Sequence, residues 1–120
     1  MNLLIVDDHA GIRQMLRELL EHVATQIREC ASGEEAVALC EQYTPDCVTV
    51  DLRMGEMDGL TCVKLLRERH PTAHIAVVTQ FDHDALRTRA RFAGADTYVL
   101  KDDLESLTRF VELIATRLGE

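Results

Sequence analysis

Five times along this chain a short β-rich run gives way to a helical stripe, and that alternation constrains the fold more than any other feature. The runs are Asn2 to Val6, Gln26 to Cys30, Asp46 to Val50, His74 to Thr79 and Thr97 to Leu100. DCVTV and HIAVVT are rich in β-branched residues with little polar alternation, the pattern of strands covered on both faces. Between the runs, Ile12, Met15, Leu16, Leu19, Leu20 and Val23 keep the spacing of one buried helical stripe. Ser32 and Glu35 have capping-box spacing at the start of GEEAVALCEQY. Asp58 is placed to cap GLTCVKLLRER, which must end before Pro71. HDALRTRARFAG stops at Gly94, and Leu104, Leu107, Val111, Ile114 and Leu118 mark a last helix. Repeated β-α units with short connections predict an α/β domain over residues 1–120, a parallel sheet with helices on both faces.

Composition narrows the function classes. The 120 residues are 47% hydrophobic and 28% charged, ordinary for a globular domain that needs no staples. Cys30, Cys40, Cys47 and Cys62 show no paired zinc spacing and sit in apolar segments, so they read as small buried hydrophobes. The five histidines are scattered and read as surface or boundary residues. A net charge of −8 argues against direct nucleic-acid contact, because phosphate backbones demand a basic footprint. No apolar run approaches the ~20 residues of a membrane helix and no signal-peptide pattern opens the chain, so the expected location is cytoplasmic.

In doubly wound sheets ligands bind at the carboxyl ends of the strands. Those ends carry Asp7 and Asp8 after the first run, Asp51 after the third, Thr79 closing the fourth and Lys101 after the fifth. Three carboxylates in one cleft call for a cation, and an all-oxygen set suits Mg²⁺. A carboxylate beside such a cation can act as nucleophile toward a phosphoryl group, with a lysine and a hydroxyl holding the transferring oxygens. Taken singly, each residue has a plainer use: first-turn acids on a helix dipole, a β-branched strand residue, a solvated lysine. Their arrival together at one sheet edge is what favours the chemistry.

LLIVDDHAGIR, VTVDLRMGEMDGL, IAVVTQFD and ADTYVLKDD, in this order over the whole chain, resemble the response-regulator receiver domain of two-component signalling. The resemblance implies a flavodoxin-like sheet of order 2-1-3-4-5. It also implies that Asp51 is the phosphoacceptor and that Asp8, Asp51 and the Arg53 backbone carbonyl ligate Mg²⁺, with Asp7 assisting through water. Thr79 and Lys101 would contact the phosphoryl group, and Tyr98 falls at the family's switch aromatic. The implied partner is a sensor histidine kinase, and the implied activity is self-phosphotransfer by a switch that is no metabolic enzyme. Its signal would leave through the fourth and fifth helices, where Arg87, Arg91, Arg109, Phe110 and an outward Leu113 form the expected partner or homodimer surface. A phosphorylation-independent scaffold is the alternative. A flavin site is disfavoured by the acidic DDHAGIR loop, and an aspartate-nucleophile phosphatase by the lack of D-x-D there.

Three positions depart from the family pattern. Gly55 stands where proline is usual, which implies a looser loop and weaker Mg²⁺ affinity. Gln80 stands where a small residue is usual, which implies restricted access for small donors and water. Asp102 replaces the proline that commonly follows the lysine, and a KD start resembles the branch carrying LuxR-type helix-turn-helix output domains. DNA would then be reached only through such a domain, following residue 120 in a longer regulator; a stand-alone receiver is the other expectation.

Overall fold

The computed structural model describes residues 1–53 and 57–120. Each β-rich run becomes a strand and each stripe a helix. The order is β1 (Asn2–Val6), α1 (Ala10–Leu20), β2 (Gln26–Cys30), α2 (Gly33–Leu39), β3 (Cys47–Val50), α3 (Gly59–Arg69), β4 (His74–Thr79), α4 (Asp84–Ala93), β5 (Thr97–Leu100) and α5 (Leu104–Arg117). The strands form one parallel sheet ordered β2-β1-β3-β4-β5. Alternate side chains then feed two cores. Leu4, Val6, Val48, Val50, Ile75 and Val77 pack beneath α2, α3 and α4, while Leu3, Ile5, Ala76 and Val78 pack against α1 and α5. All four cysteines are free and buried in these cores, as their apolar surroundings suggest.

The caps act where the sequence places them. Ser32 Oγ accepts the Glu35 N–H, and the Glu35 carboxylate reaches back to the Ala31 N–H. Asp58 Oδ1 accepts the Thr61 N–H at 2.8 Å. Four expectations need correction. The β3 strand begins at Cys47 because Asp46 instead ties down the start of β1, its carboxylate accepting the Asn2 N–H at 2.7 Å. Helix α2 ends at Leu39, well short of Tyr43, the chain tightening there as the Glu41 and Gln42 N–H groups donate to the Ala38 and Leu39 carbonyls. Met15 lies at the margin of its stripe and is 37% exposed. Leu118 falls past the last turn of α5 and is 47% exposed.

At the amino ends of β4 and β5, Arg67 binds two connections together, α3–β4 and α4–β5. Its guanidinium donates to the carbonyls of Gly94, Pro71 and Ala73 and to Asp96 Oδ2, at 2.6–3.0 Å. Asp96 Oδ2 also accepts the Ile75 N–H at 2.8 Å. Gly94 ends α4 with φ +120°, and a Cβ there would stand 2.7 Å from Arg67 Cγ. Only glycine suits both the backbone and the space.

Candidate functional site

The order of the sheet reverses between β1 and β3, the place where doubly wound sheets open a crevice. Asp7 and Asp8 follow β1 there, and Asp51 follows β3. The backbone around them is fixed. The Asp7 N–H donates to the Cys30 carbonyl at 3.1 Å and the Asp51 N–H to the Val6 carbonyl at 3.0 Å. Arg13 Nη1 donates to the Asp7 carbonyl at 2.7 Å, and Asp7 Oδ1 accepts the His9 N–H at 2.8 Å. His9 itself caps α1, its Nδ1 accepting the Ile12 N–H. On the other side, α3 presses on β3: a Cβ on Gly59 would lie 2.1 Å from the Asp51 carbonyl oxygen.

One carboxylate oxygen from each of Asp7, Asp8 and Asp51 lies within 4.8 Å of the others. Asp7 and Asp51 are buried, and Asp8 is exposed at the mouth. Lys101 Nζ lies 3.2 Å from Asp7 Oδ2 and 3.4 Å from Asp51 Oδ1. Burial, and then the neighbouring Asp7 charge, push the Asp51 carboxyl above its ordinary range; Lys101 and the Arg53 N–H oppose them without prevailing. Three carboxylates and one ammonium leave two negative charges uncompensated if all are ionised, in a cleft of about 420 Å³. An all-oxygen donor set with that charge fits a hard divalent cation such as Mg²⁺.

Such a cluster occurs on more than one kind of domain, so comparison with known proteins decides the family. Residues 3–112 match the model of the response regulator receiver domain. The chain belongs to that family. The receiver is 40% identical over 101 residues to the transcriptional regulatory protein YdfI of Bacillus subtilis, covering 82% of this chain and 47% of that one. It thus spans about half the length of that relative. A LuxR-family two-component response regulator from Aurantimonas superposes with a TM-score of 0.88 at 30% identity, over 96% of this chain and 84% of the other. A response regulator from Burkholderia pseudomallei, solved with a phosphorylated aspartic acid, calcium ion and citrate, gives 0.84 at 28% identity, over 98% and 70%. The five-stranded order agrees with the flavodoxin-like expectation.

The remaining sequence-selected residues separate into groups. Arg53 and Gln80 line the cleft with Asp7, Asp8, Asp51 and Lys101. Thr79 ends β4 at the same edge but is fully buried, and its Oγ1 accepts the Phe81 N–H at 3.2 Å. Tyr98 is half-buried on β5 and donates its O–H to the Phe81 carbonyl at 2.6 Å. Burial raises the Tyr98 pKa, partly offset by Arg87, whose guanidinium lies 4.7 Å from the ring centroid. Arg87, expected on the partner surface, also pairs with Asp82 at 3.1 Å. Arg91, Arg109 and Leu113 are exposed and Phe110 is partly buried. Gly55 lies outside the described residues.

Two residues escaped the sequence reading. Phe92, on α4, is 83% exposed, more than any other large apolar side chain among the described residues. Phe81 lines the cleft and contacts Thr79 and Tyr98 through its backbone. The only signal for Phe81 was its place two residues beyond Thr79 in TQFD.

Proposed function

We propose that Asp51 accepts a phosphoryl group from a histidine kinase, that Asp8, Asp51 and the Arg53 carbonyl, with Asp7 through water, hold Mg²⁺ for the transfer, and that the outcome is read on α4, β5 and α5. Switching by phosphorylation is the general work of receivers in two-component response regulators, which are signalling proteins and not classical enzymes. The observation that carries the reading is the single ammonium of Lys101 set between Asp7 and Asp51 in an otherwise acidic cluster.

An Asp51 carboxylate oxygen forms a bond to phosphorus as the donor's N–P bond breaks, and the imidazole leaves with the electron pair. Mg²⁺, when bound, supplies a charge that draws electron density from the phosphoryl oxygens. Lys101, already beside Asp51, is the cation this chain offers to one of those oxygens. The Thr79 hydroxyl acts as an acceptor toward Phe81, which leaves its proton to donate to another. That contact draws on the same Phe81 backbone that holds the Tyr98 hydroxyl, giving the signal a short path from cleft to surface. The exposed Leu113, with Arg109 and Arg91, is the surface assigned to a partner or second copy. Among the described residues no helix is long and apolar enough to cross a membrane.

The test is intact mass after incubation with acetyl phosphate, with and without Mg²⁺, on wild type and Asp51→Asn. A Mg²⁺-dependent phosphoryl adduct that Asp51→Asn abolishes supports the reading. If wild type and a Gln80→Ala variant both stay unmodified, the result points instead to a phosphorylation-independent scaffold.

A further inference from the structure

The strands β1, β3 and β5 each hand a charged side chain to the acidic cleft, whereas the edge strand β2 hands it none. What β2 contributes comes from the residue before its end. Glu29 accepts Arg13 Nε at 3.1 Å through Oε1 and Arg17 Nε at 2.6 Å through Oε2. Arg13 and Arg17 stand four residues apart on α1, so both reach Glu29 from one helix face. Arg17 also donates to the Ile27 carbonyl at 3.1 Å, which fastens α1 along β2. Arg13 instead turns its Nη1 to the Asp7 carbonyl at 2.7 Å.

That carbonyl belongs to the peptide group leading into Asp8. The other polar groups of Asp7 are engaged as well: its N–H with the Cys30 carbonyl, Oδ1 with the His9 N–H, and Oδ2 with Lys101 Nζ. Of these bonds, the one from Arg13 is made to the Asp7–Asp8 peptide itself. Rotating that peptide swings the exposed Asp8 carboxylate relative to the buried Asp7 and Asp51. A shared cation needs the three carboxylates to keep the mutual approach, within 4.8 Å, that they have here.

We infer that Arg13, steadied by Glu29 from the edge strand, is a positioning residue for the cation site: it holds the Asp7–Asp8 peptide in the orientation that keeps the three carboxylates together, and so raises Mg²⁺ affinity. The inference rests on the Mg²⁺-dependent phosphoacceptor reading given above. Two effects of Arg13 oppose each other. As a cation near the cluster it repels a divalent ion; as the donor to the Asp7 carbonyl it prepares the site for one. The Glu29 carboxylate offsets the first on the same guanidinium, and salt screens what is left beyond about 8 Å at physiological strength. The second is geometric and survives screening. Losing an outer-shell partner of a metal site costs about 10- to 100-fold in affinity, so positioning outweighs repulsion. Arg13→Ala therefore weakens Mg²⁺ binding even though it makes the surroundings of the cluster more negative.

The experiment follows backbone amide NMR shifts during Mg²⁺ titration in about 0.15 M salt. It compares wild type with Arg13→Ala, Arg13→Lys, Arg17→Ala, Glu29→Gln and the Arg13→Ala/Glu29→Gln double variant, each checked for folding by its metal-free spectrum. Arg13→Ala should raise the Mg²⁺ Kd about tenfold. Arg13→Lys keeps a cationic donor for the same carbonyl and should fall between Arg13→Ala and wild type. Glu29→Gln should raise Kd less, and should add little in the Arg13→Ala background because it acts through Arg13. Arg17→Ala loses Glu29 and Ile27 but nothing on Asp7, and should bind as wild type does. A Kd for Arg13→Ala at or below that of wild type would overturn the inference, because Arg13 would then act only as a repelling charge. Arg17→Ala weakening binding as much as Arg13→Ala would overturn it too, tracing the effect to the seating of α1. If Arg13→Ala does not fold, an unchanged Kd in both Arg13→Lys and Glu29→Gln overturns it instead. In each of these cases a wild type that saturates with Mg²⁺, and does so less readily as Asp51→Asn, leaves the metal reading intact. A wild type without saturable shifts rejects both.

Discussion

At the amino ends of β4 and β5 one guanidinium, Arg67, meets four acceptors on two connections, whereas at the carboxyl ends of β1, β3 and β5 one ammonium, Lys101, serves a group of three carboxylates. The first region matches donors to acceptors and leaves no unmet charge on Arg67. The second gathers like charges on fixed strand ends and supplies one counter-charge. Folding strength and chemical readiness are therefore concentrated at opposite edges of one sheet. The acidic edge is held in place by hydrogen bonds its own carboxylates do not provide, such as Asp51 N–H to Val6 and Asp7 N–H to Cys30.

That contrast breaks most visibly at Arg67. Arg67→Ala strands the Gly94, Pro71 and Ala73 carbonyls and removes the cationic partner of Asp96, and should cost about 2–3 kcal/mol of stability. Urea unfolding should show a lower midpoint at unchanged slope, while Asp51 still takes the phosphoryl group; loss of both together would mean the two edges are coupled. Gly94→Ala forces a side chain into a positive-φ position against Arg67 and should cost about 1–2 kcal/mol, read by the same unfolding curves.

At the acidic edge the sign reverses. Burial and Asp7 raise the Asp51 pKa in the folded state above its unfolded value. Below the unfolded pKa the group is protonated in both states and contributes no difference. As pH rises through that value toward the folded pKa, the unfolded chain releases its proton first and the folded state loses stability relative to it. Asp51→Asn should therefore raise Tm at neutral pH, read by thermal unfolding of the metal-free protein. The advantage should vanish below about pH 4, near the ordinary carboxylate pKa. Mg²⁺ should narrow the gap at neutral pH by stabilising the wild type. A variant no more stable than wild type in the metal-free state would show that the cluster carries no electrostatic strain.

Four strands were legible as short runs rich in apolar and β-branched residues, the edge strand QIREC being more polar, and four of the five begin and end where the runs do. Asp46 differs because it pairs with Asn2 through its carboxylate as well as its backbone N–H, a contact no local pattern encodes. Helix faces were legible at their centres and not at their margins, as Met15 and Leu118 illustrate. The acidic cluster could be read because strand ends of a parallel sheet converge once the β-α order is known. Thr79 met that expectation by position, yet its hydroxyl is engaged by Phe81. The stacks of Arg53 on Phe81 and Arg87 on Tyr98 join residues 28 and 11 positions apart by planar contact alone, and contacts of that kind leave no periodic trace.

The press of α3 on β3 has a consequence for genetics. With the Asp51 carbonyl 2.1 Å from any Cβ on Gly59, that glycine guards the phosphoacceptor's position without taking part in its chemistry. A screen scored only by signalling output would flag substitutions at residue 59 as strongly as those at Asp51. Pairing it with a measure of protein abundance would separate them, since Gly59 alleles should disappear with the folded protein while Asp51→Asn alleles accumulate and stay silent.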